Sequence, residues 1–93
     1  MTNSEKEILS IAQEECAEVI QAISKVFRFG MDESYNDQTN RQRLENELGD
    51  LVCLIELMIE KNLVNRKNIS ESLLNKRTRL ETWSNIFKEE AFQ

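Results

Sequence analysis

Two pairs of acidic residues stand where a helix has little use for charge: Glu15 with Glu18, and Glu47 with Asp50. Each pair is spaced i, i+3, which puts both side chains on one helical surface a turn apart. On a wheel of about 100° per residue, Ile8, Ile11, Ala12, Val19, Ala22, Ile23 and Val26 define a broad apolar arc, and Glu15 falls inside it. Glu18 lies at the edge of that arc beside Ile11, and Glu14 is turned further toward the polar side. Further along, Leu44, Leu51, Leu54, Ile55 and Met58 mark a second inward arc with Glu47 projecting from its middle. Asp50 lies about 60° away, next to Leu54 and Leu57. Packing the two arcs together brings four carboxylates toward one place.

Such a cluster does not persist ionised without help, because like charges in a partly desolvated site raise one another's pKa. Basic partners are one remedy, and hard divalent cations with oxygen ligands are the other. Mg²⁺ takes one or two carboxylates together with waters and substrate phosphates, so the arrangement suits a metal-bridged phosphate site. The chain has no histidine. That removes the Glu-x-x-His ligand pairs of di-iron bundles and most zinc chemistry. A single Glu on an apolar arc is ordinarily half of an interface salt bridge, whereas two matched pairs on successive helices point to a divalent-metal site. The spacing alone leads no further.

The elements that must carry these residues are helices. The chain lacks proline, has 2 glycines and is rich in Glu, Leu, Lys, Arg and Ile, a composition poor in breakers. Ser4 with Glu7 forms a capping box that opens a first helix running to about Phe29, before Gly30. The polar stretch from Met31 to Gln38 reads as a loop. Its alternating Asp32, Ser34 and Asn36 imitate a calcium loop, but the glycine at the sixth position is missing and Arg43 stands where the bidentate Glu belongs. Thr39 with Gln42 opens a second helix to about Lys61, and Asn68 with Glu71 opens a third through about Lys88. The fold class expected is therefore all-α: three main helices in an antiparallel bundle, one domain over residues 1–93.

At −5 the net charge argues against broad nucleic-acid binding, though not against a small phosphorylated ligand. Cys16 and Cys53 lie inside apolar helical patterns and are expected as small buried side chains in a reducing cytoplasm. Met1 to Ser4 leads into charge, not into the apolar stretch of a signal peptide, and the apolar runs are too short for a membrane span.

Glu14-Glu15-Cys16-Ala17-Glu18, followed by Glu47-Leu48-Gly49-Asp50, resembles the EExxE…ExxD signature of MazG-like pyrophosphohydrolases. The likeness extends from Val19 to Lys25, through Arg28-Phe29-Gly30, and from Asn40 to Leu51. These stretches are similar to small single-domain members of phages and bacteria. The resemblance implies that Glu15, Glu18, Glu47 and Asp50 are Mg²⁺ ligands, with Mn²⁺ a possible substitute, and that Glu14 orients a ligand or helps activate the attacking water. It implies conversion of NTP or dNTP to NMP or dNMP and pyrophosphate, a reaction that needs cationic groups to hold the polyphosphate. Lys25 and Arg28 flank the acidic face of the first helix, and Lys76 and Arg79 resemble the basic residues such enzymes present from the third. Phe29 and Asn40 are candidates for base binding, with Phe27, Tyr35 and Trp83 as further aromatics. Trp83 also shares a helical stripe with Leu73, Leu80 and Phe87, which favours a place in the core.

The second helix is apolar over more than half its circumference, since Val52, Cys53 and Ile59 lie outside its inward arc. Helices of that kind have neighbours on several sides, so a homodimer or homotetramer with a four-helix core is expected, as the resemblance also implies. No nucleic-acid or membrane partner is expected, and the location is the cytoplasm, that of the host if the chain is phage-encoded. Three alternatives remain: a dUTPase- or dCTPase-like member restricted to one base; a non-catalytic helical dimer, an adaptor or regulator, whose inward acids pair with Lys and Arg; and a metal-binding structural bundle without turnover.

Overall fold

The computed structural model describes residues 1–88. The chain divides into two compact units, Met1–Leu63 and a second beginning at Val64. In the first, helix α1 (Asn3–Phe29) is followed by short strands β1 (Ser34–Tyr35) and β2 (Gln38–Thr39) and by helix α2 (Asn40–Glu60); the second holds helix α3 (Arg66–Trp83).

Helix α1 begins two residues earlier than the Ser4–Glu7 box suggests. The Thr2 hydroxyl accepts from the backbone N–H of Glu5 at 3.1 Å, and the Glu5 carboxylate accepts from that of Thr2 at 2.8 Å. Two overlapping boxes compete here, and the outer one adds helical hydrogen bonds, among them Lys6 N–H to the Thr2 carbonyl at 3.1 Å. The helix stops at Gly30, whose φ of 92° favours glycine and whose N–H reaches the Val26 carbonyl at 2.8 Å.

The stretch expected as a loop contains a minimal antiparallel hairpin, Ser34 opposite Thr39 and Tyr35 opposite Gln38. Asn36 and Asp37 turn it with φ of 53° and 65°, the left-handed pair a two-residue hairpin turn requires. The N–H of Asn40 then reaches the Glu33 carbonyl and that of Arg41 the Met31 carbonyl, at 3.0 and 2.9 Å, binding the segment to the start of α2.

Helix α2 is capped as expected, by Thr39 and Gln42 in a reciprocal box. At its other end Leu63 N–H reaches the Met58 carbonyl and Asn62 N–H the Ile59 carbonyl, with Asn62 at φ 59°. This is a Schellman closure, and it folds Leu63 back onto the core.

Helices α1 and α2 pack antiparallel. Ile8 and Ala12, early in α1, form a core cluster with Leu54, late in α2, joined by Ile11, Leu57, Met58 and Leu63. At the opposite end the Asn40 side chain donates to the Gly30 carbonyl at 2.8 Å. The inward positions run 8, 12, 15, 19, 22, 26 on α1 and 40, 44, 47, 51, 54, 58 on α2, all buried or half-buried. Alternating steps of four and three are the mark of a helix seam. Ile23, expected inside, lies off that seam and is 40% exposed.

Three further expectations are corrected. Cys16 and Cys53 are exposed free thiols, because within this unit each helix has only one neighbour and they lie on the outer flanks. Helix α3 starts at the Asn65 cap, not Asn68, and ends at Trp83 well before Lys88. Ser84 ends it: its backbone is extended, and its hydroxyl donates to the Leu80 carbonyl at 2.7 Å. The stripe on α3 builds no core among the described residues, where Trp83 is 82% exposed. No helix among the described residues is long and apolar enough to cross a membrane.

Candidate functional site

The seam positions of α1 and α2 are apolar except for Asn40 at the start of α2 and, near the middle, Glu15 and Glu47. One carboxylate oxygen from each of Glu15, Glu47 and Asp50 lies within 4.8 Å of the others. Oε2 of Glu15 is buried and has no hydrogen-bond partner. Among the described residues, none of Glu15, Glu18, Glu47 and Asp50 forms an ion pair. Loss of hydration in the seam, reinforced by the charges of Asp50, Glu47, Glu18 and Glu14, raises the Glu15 carboxyl above the usual carboxylate range.

A buried acceptor without a donor, beside two more carboxylates, is a costly arrangement for a protein standing alone. A hard divalent cation resolves it. The donors are all oxygens, and opposite ligands around such an ion stand about 4–5 Å apart, so three oxygens within 4.8 Å fit one ion. The residues present thus suit a divalent metal.

Of the four acids expected to converge, three gather this closely. Glu18 is exposed on the flank of the seam, one residue ahead of the inward Val19, and stays outside the close group. It lines instead a polar cavity of about 180 Å³ with Lys25, Arg43, Asn46 and Glu47. Glu14 is exposed, and its charge is felt at Glu15.

A second cleft, of about 320 Å³, opens between the end of α1, the hairpin and the start of α2. Lys25, Phe29 and Asn40, all singled out from sequence, meet there with Tyr35 and Arg43. Asn40 is buried and its amide already donates to Gly30, so it also locks the two helix ends together. Arg28 lines neither cavity; its guanidinium lies 5.0 Å from the centre of the Phe29 ring. Lys76 and Arg79 are exposed on α3, in the second unit.

Arg43 is absent from the residues expected at the site, although it lines both cavities. It is half-buried, its guanidinium donates to the Tyr35 carbonyl, and it lies 5.8 Å from the centre of that ring. Its signal was its position: one turn before Glu47, on the same inward face.

Fold and site together define an all-α protein in which paired helices carry an unpartnered acid cluster between them. Residues 3–80 match the family model of the MazG nucleotide pyrophosphohydrolase domain. The chain belongs to that family. Searches of curated proteins and of solved structures give no significant match.

Proposed function

We propose that the protein is a Mg²⁺-dependent nucleoside triphosphate pyrophosphohydrolase, cutting NTP or dNTP between the α- and β-phosphates to give NMP or dNMP and pyrophosphate. One observation carries the reading: in a chain of this family, one carboxylate oxygen from each of Glu15, Glu47 and Asp50 lies within 4.8 Å of the others, and Oε2 of Glu15 is buried without a partner. Glu15, Glu47 and Asp50 would hold the ion, with Glu18, which shares a cavity with Glu47, as the further ligand. When bound, Mg²⁺, or Mn²⁺ in its place, neutralises phosphate charge and lowers the pKa of an attacking water. Glu14 and Glu15 orient that water and receive its proton. Lys25, with Arg43 beside it, holds the polyphosphate in the cavity that reaches Glu47. Arg28, Lys76 and Arg79 add positive charge for the phosphates, and Phe29 and Asn40 meet the base.

The active form is a homodimer or homotetramer with a four-helix core. Ile20, Phe27 and Val52 are 66%, 86% and 54% exposed, and large apolar side chains left open on the helix flanks support a second copy that would cover them. The non-catalytic alternative requires inward acids paired with Lys or Arg, and no such pair exists among the described residues. Free thiols at Cys16 and Cys53 suit a reducing cytoplasm.

The test is a panel of NTPs and dNTPs incubated with the chelated protein, then with Mg²⁺, Mn²⁺ or Ca²⁺ restored. Turnover that returns with Mg²⁺ or Mn²⁺ is expected, and preference within the panel identifies a base-restricted enzyme. Equal turnover with and without chelator contradicts the proposal.

A further inference from the structure

The acid cluster, the polar cavity and the aromatic cleft are contiguous. Glu47 belongs to the cluster and to the polar cavity, while Lys25 and Arg43 belong to the polar cavity and to the cleft. Arg43 precedes Glu47 by about one helical turn, roughly 6 Å along α2. A ligand lying along this path meets carboxylates, then two cations, then Phe29 and Tyr35. That order is metal, polyphosphate and planar ring.

The outer end of the path is made by the hairpin. Tyr35 is 72% exposed and Phe29 56%, yet both line one cleft. Large aromatic side chains left this exposed around a concavity suit a flat ligand that stacks on them. The hairpin is held by its backbone bonds from Asn40 and Arg41 to Glu33 and Met31. Arg43 adds a third tie, through the Tyr35 carbonyl and the ring above it. The residue facing the phosphates therefore also fixes the aromatic wall.

We propose that Tyr35, carried on the hairpin and fixed by Arg43, is a specificity-determining residue that stacks on the nucleobase, so that the hairpin favours a nucleotide over a bare polyphosphate and a base that stacks well over one that stacks poorly. This inference rests on the pyrophosphohydrolase reading and extends it to the nucleoside end of the substrate. Arg43 acts on the base through Tyr35 and is to that extent a positioning residue.

The experiment is a calorimetric titration of the full chain, and of Tyr35→Ala and Tyr35→Phe, in Mg²⁺. The probes are the four deoxynucleoside triphosphates with a methylene between the α- and β-phosphates, and inorganic tripolyphosphate. Tyr35→Ala is expected to weaken the tightest nucleotide analogue by about 5- to 100-fold. It is expected to leave tripolyphosphate within about twofold, which also shows that the variant is folded, and Tyr35→Phe to retain analogue affinity within about threefold. Equal loss for both probe types, no loss for either, or a change in oligomeric state on sedimentation without a change in the ratio overturns the role of Tyr35. A wild-type protein that binds no probe overturns the pyrophosphohydrolase reading as well. One that hydrolyses nucleotides but whose preference Tyr35→Ala leaves unmoved overturns this inference alone.

Discussion

Glu15 of α1 and Glu47 of α2 occupy inward positions on two helices that pack against each other, and their carboxylate oxygens approach within 4.8 Å. Two acids share a seam whose members toward one end are Ile8, Ala12, Leu54 and Met58. Hydrophobic packing thus forces the like charges together, and the stability of the helix pair is set against the ionisation of its centre.

Removing one of these charges separates stability from activity. Glu15→Gln keeps the shape of the side chain, relieves the repulsion and supplies a donor, so the chelated protein should melt at a higher temperature than wild type. Turnover should fall on the order of a hundredfold or more, since the lost ligand acts on the transition state. Thermal denaturation in EDTA and steady-state kinetics in Mg²⁺ check both halves. A variant melting lower in EDTA contradicts the strain assigned to Glu15.

The same carboxyl has a pH signature. Its pKa is raised in the folded protein, so between the ordinary carboxylate value and that raised value the folded state binds the extra proton. In metal-free protein this contribution favours folding at low pH and is lost as pH rises through the raised pKa. The Glu5 carboxyl, lowered by its bonds to Thr2, contributes with the opposite sign, so the difference between wild type and Glu15→Gln isolates the effect. Melting curves in EDTA from about pH 4 to 7 should show wild type losing stability relative to the variant as pH increases. Mg²⁺ affinity should increase over the same window, because the ion competes with the proton.

Thr39 begins the helix that carries Arg43, Glu47 and Asp50, and its hydroxyl accepts from Gln42 N–H at 3.1 Å. Thr39→Ala should cost about 1 kcal/mol in urea denaturation. It should weaken substrate binding more than it lowers the maximal rate, since the hairpin and Asn40 move before the seam does. An unchanged midpoint contradicts the capping role.

Val52 is 54% exposed beside Leu48, on the flank of α2 that a second chain would cover. Val52→Asp places a charge there and should shift sedimentation from an oligomer to a monomer. A wild-type protein that sediments as a monomer at micromolar concentration contradicts the four-helix core.

Much of this was legible from residue order. The seam is a 3.5-residue pattern, and Glu15 and Glu47 stand out because charge breaks it. Gly30 and the Thr39–Gln42 box mark ends that long-range contacts do not disturb. What was not legible depends on competition or on partners. Ser4–Glu7 and Thr2–Glu5 carry the same local signal, and only the extra hydrogen bonds choose between them. Strands of two residues are too short to show alternation, so the stretch reads as a loop although Asn36 and Asp37 turn a hairpin there. The stripe through Leu73, Leu80 and Trp83 has helical spacing, but spacing says nothing of what lies opposite. Arg43 reads as one more solvating base until the hairpin is in place above it.

The central claim is the bond that is cut. Nucleoside triphosphates labelled at the α-phosphate, incubated with Mg²⁺ and either wild type or Asp50→Asn, report it directly. Wild type should release all of the label as nucleoside monophosphate with one pyrophosphate for each, and Asp50→Asn should release almost none. Label appearing in nucleoside diphosphate, with free orthophosphate, or equal turnover by both proteins, would contradict the account.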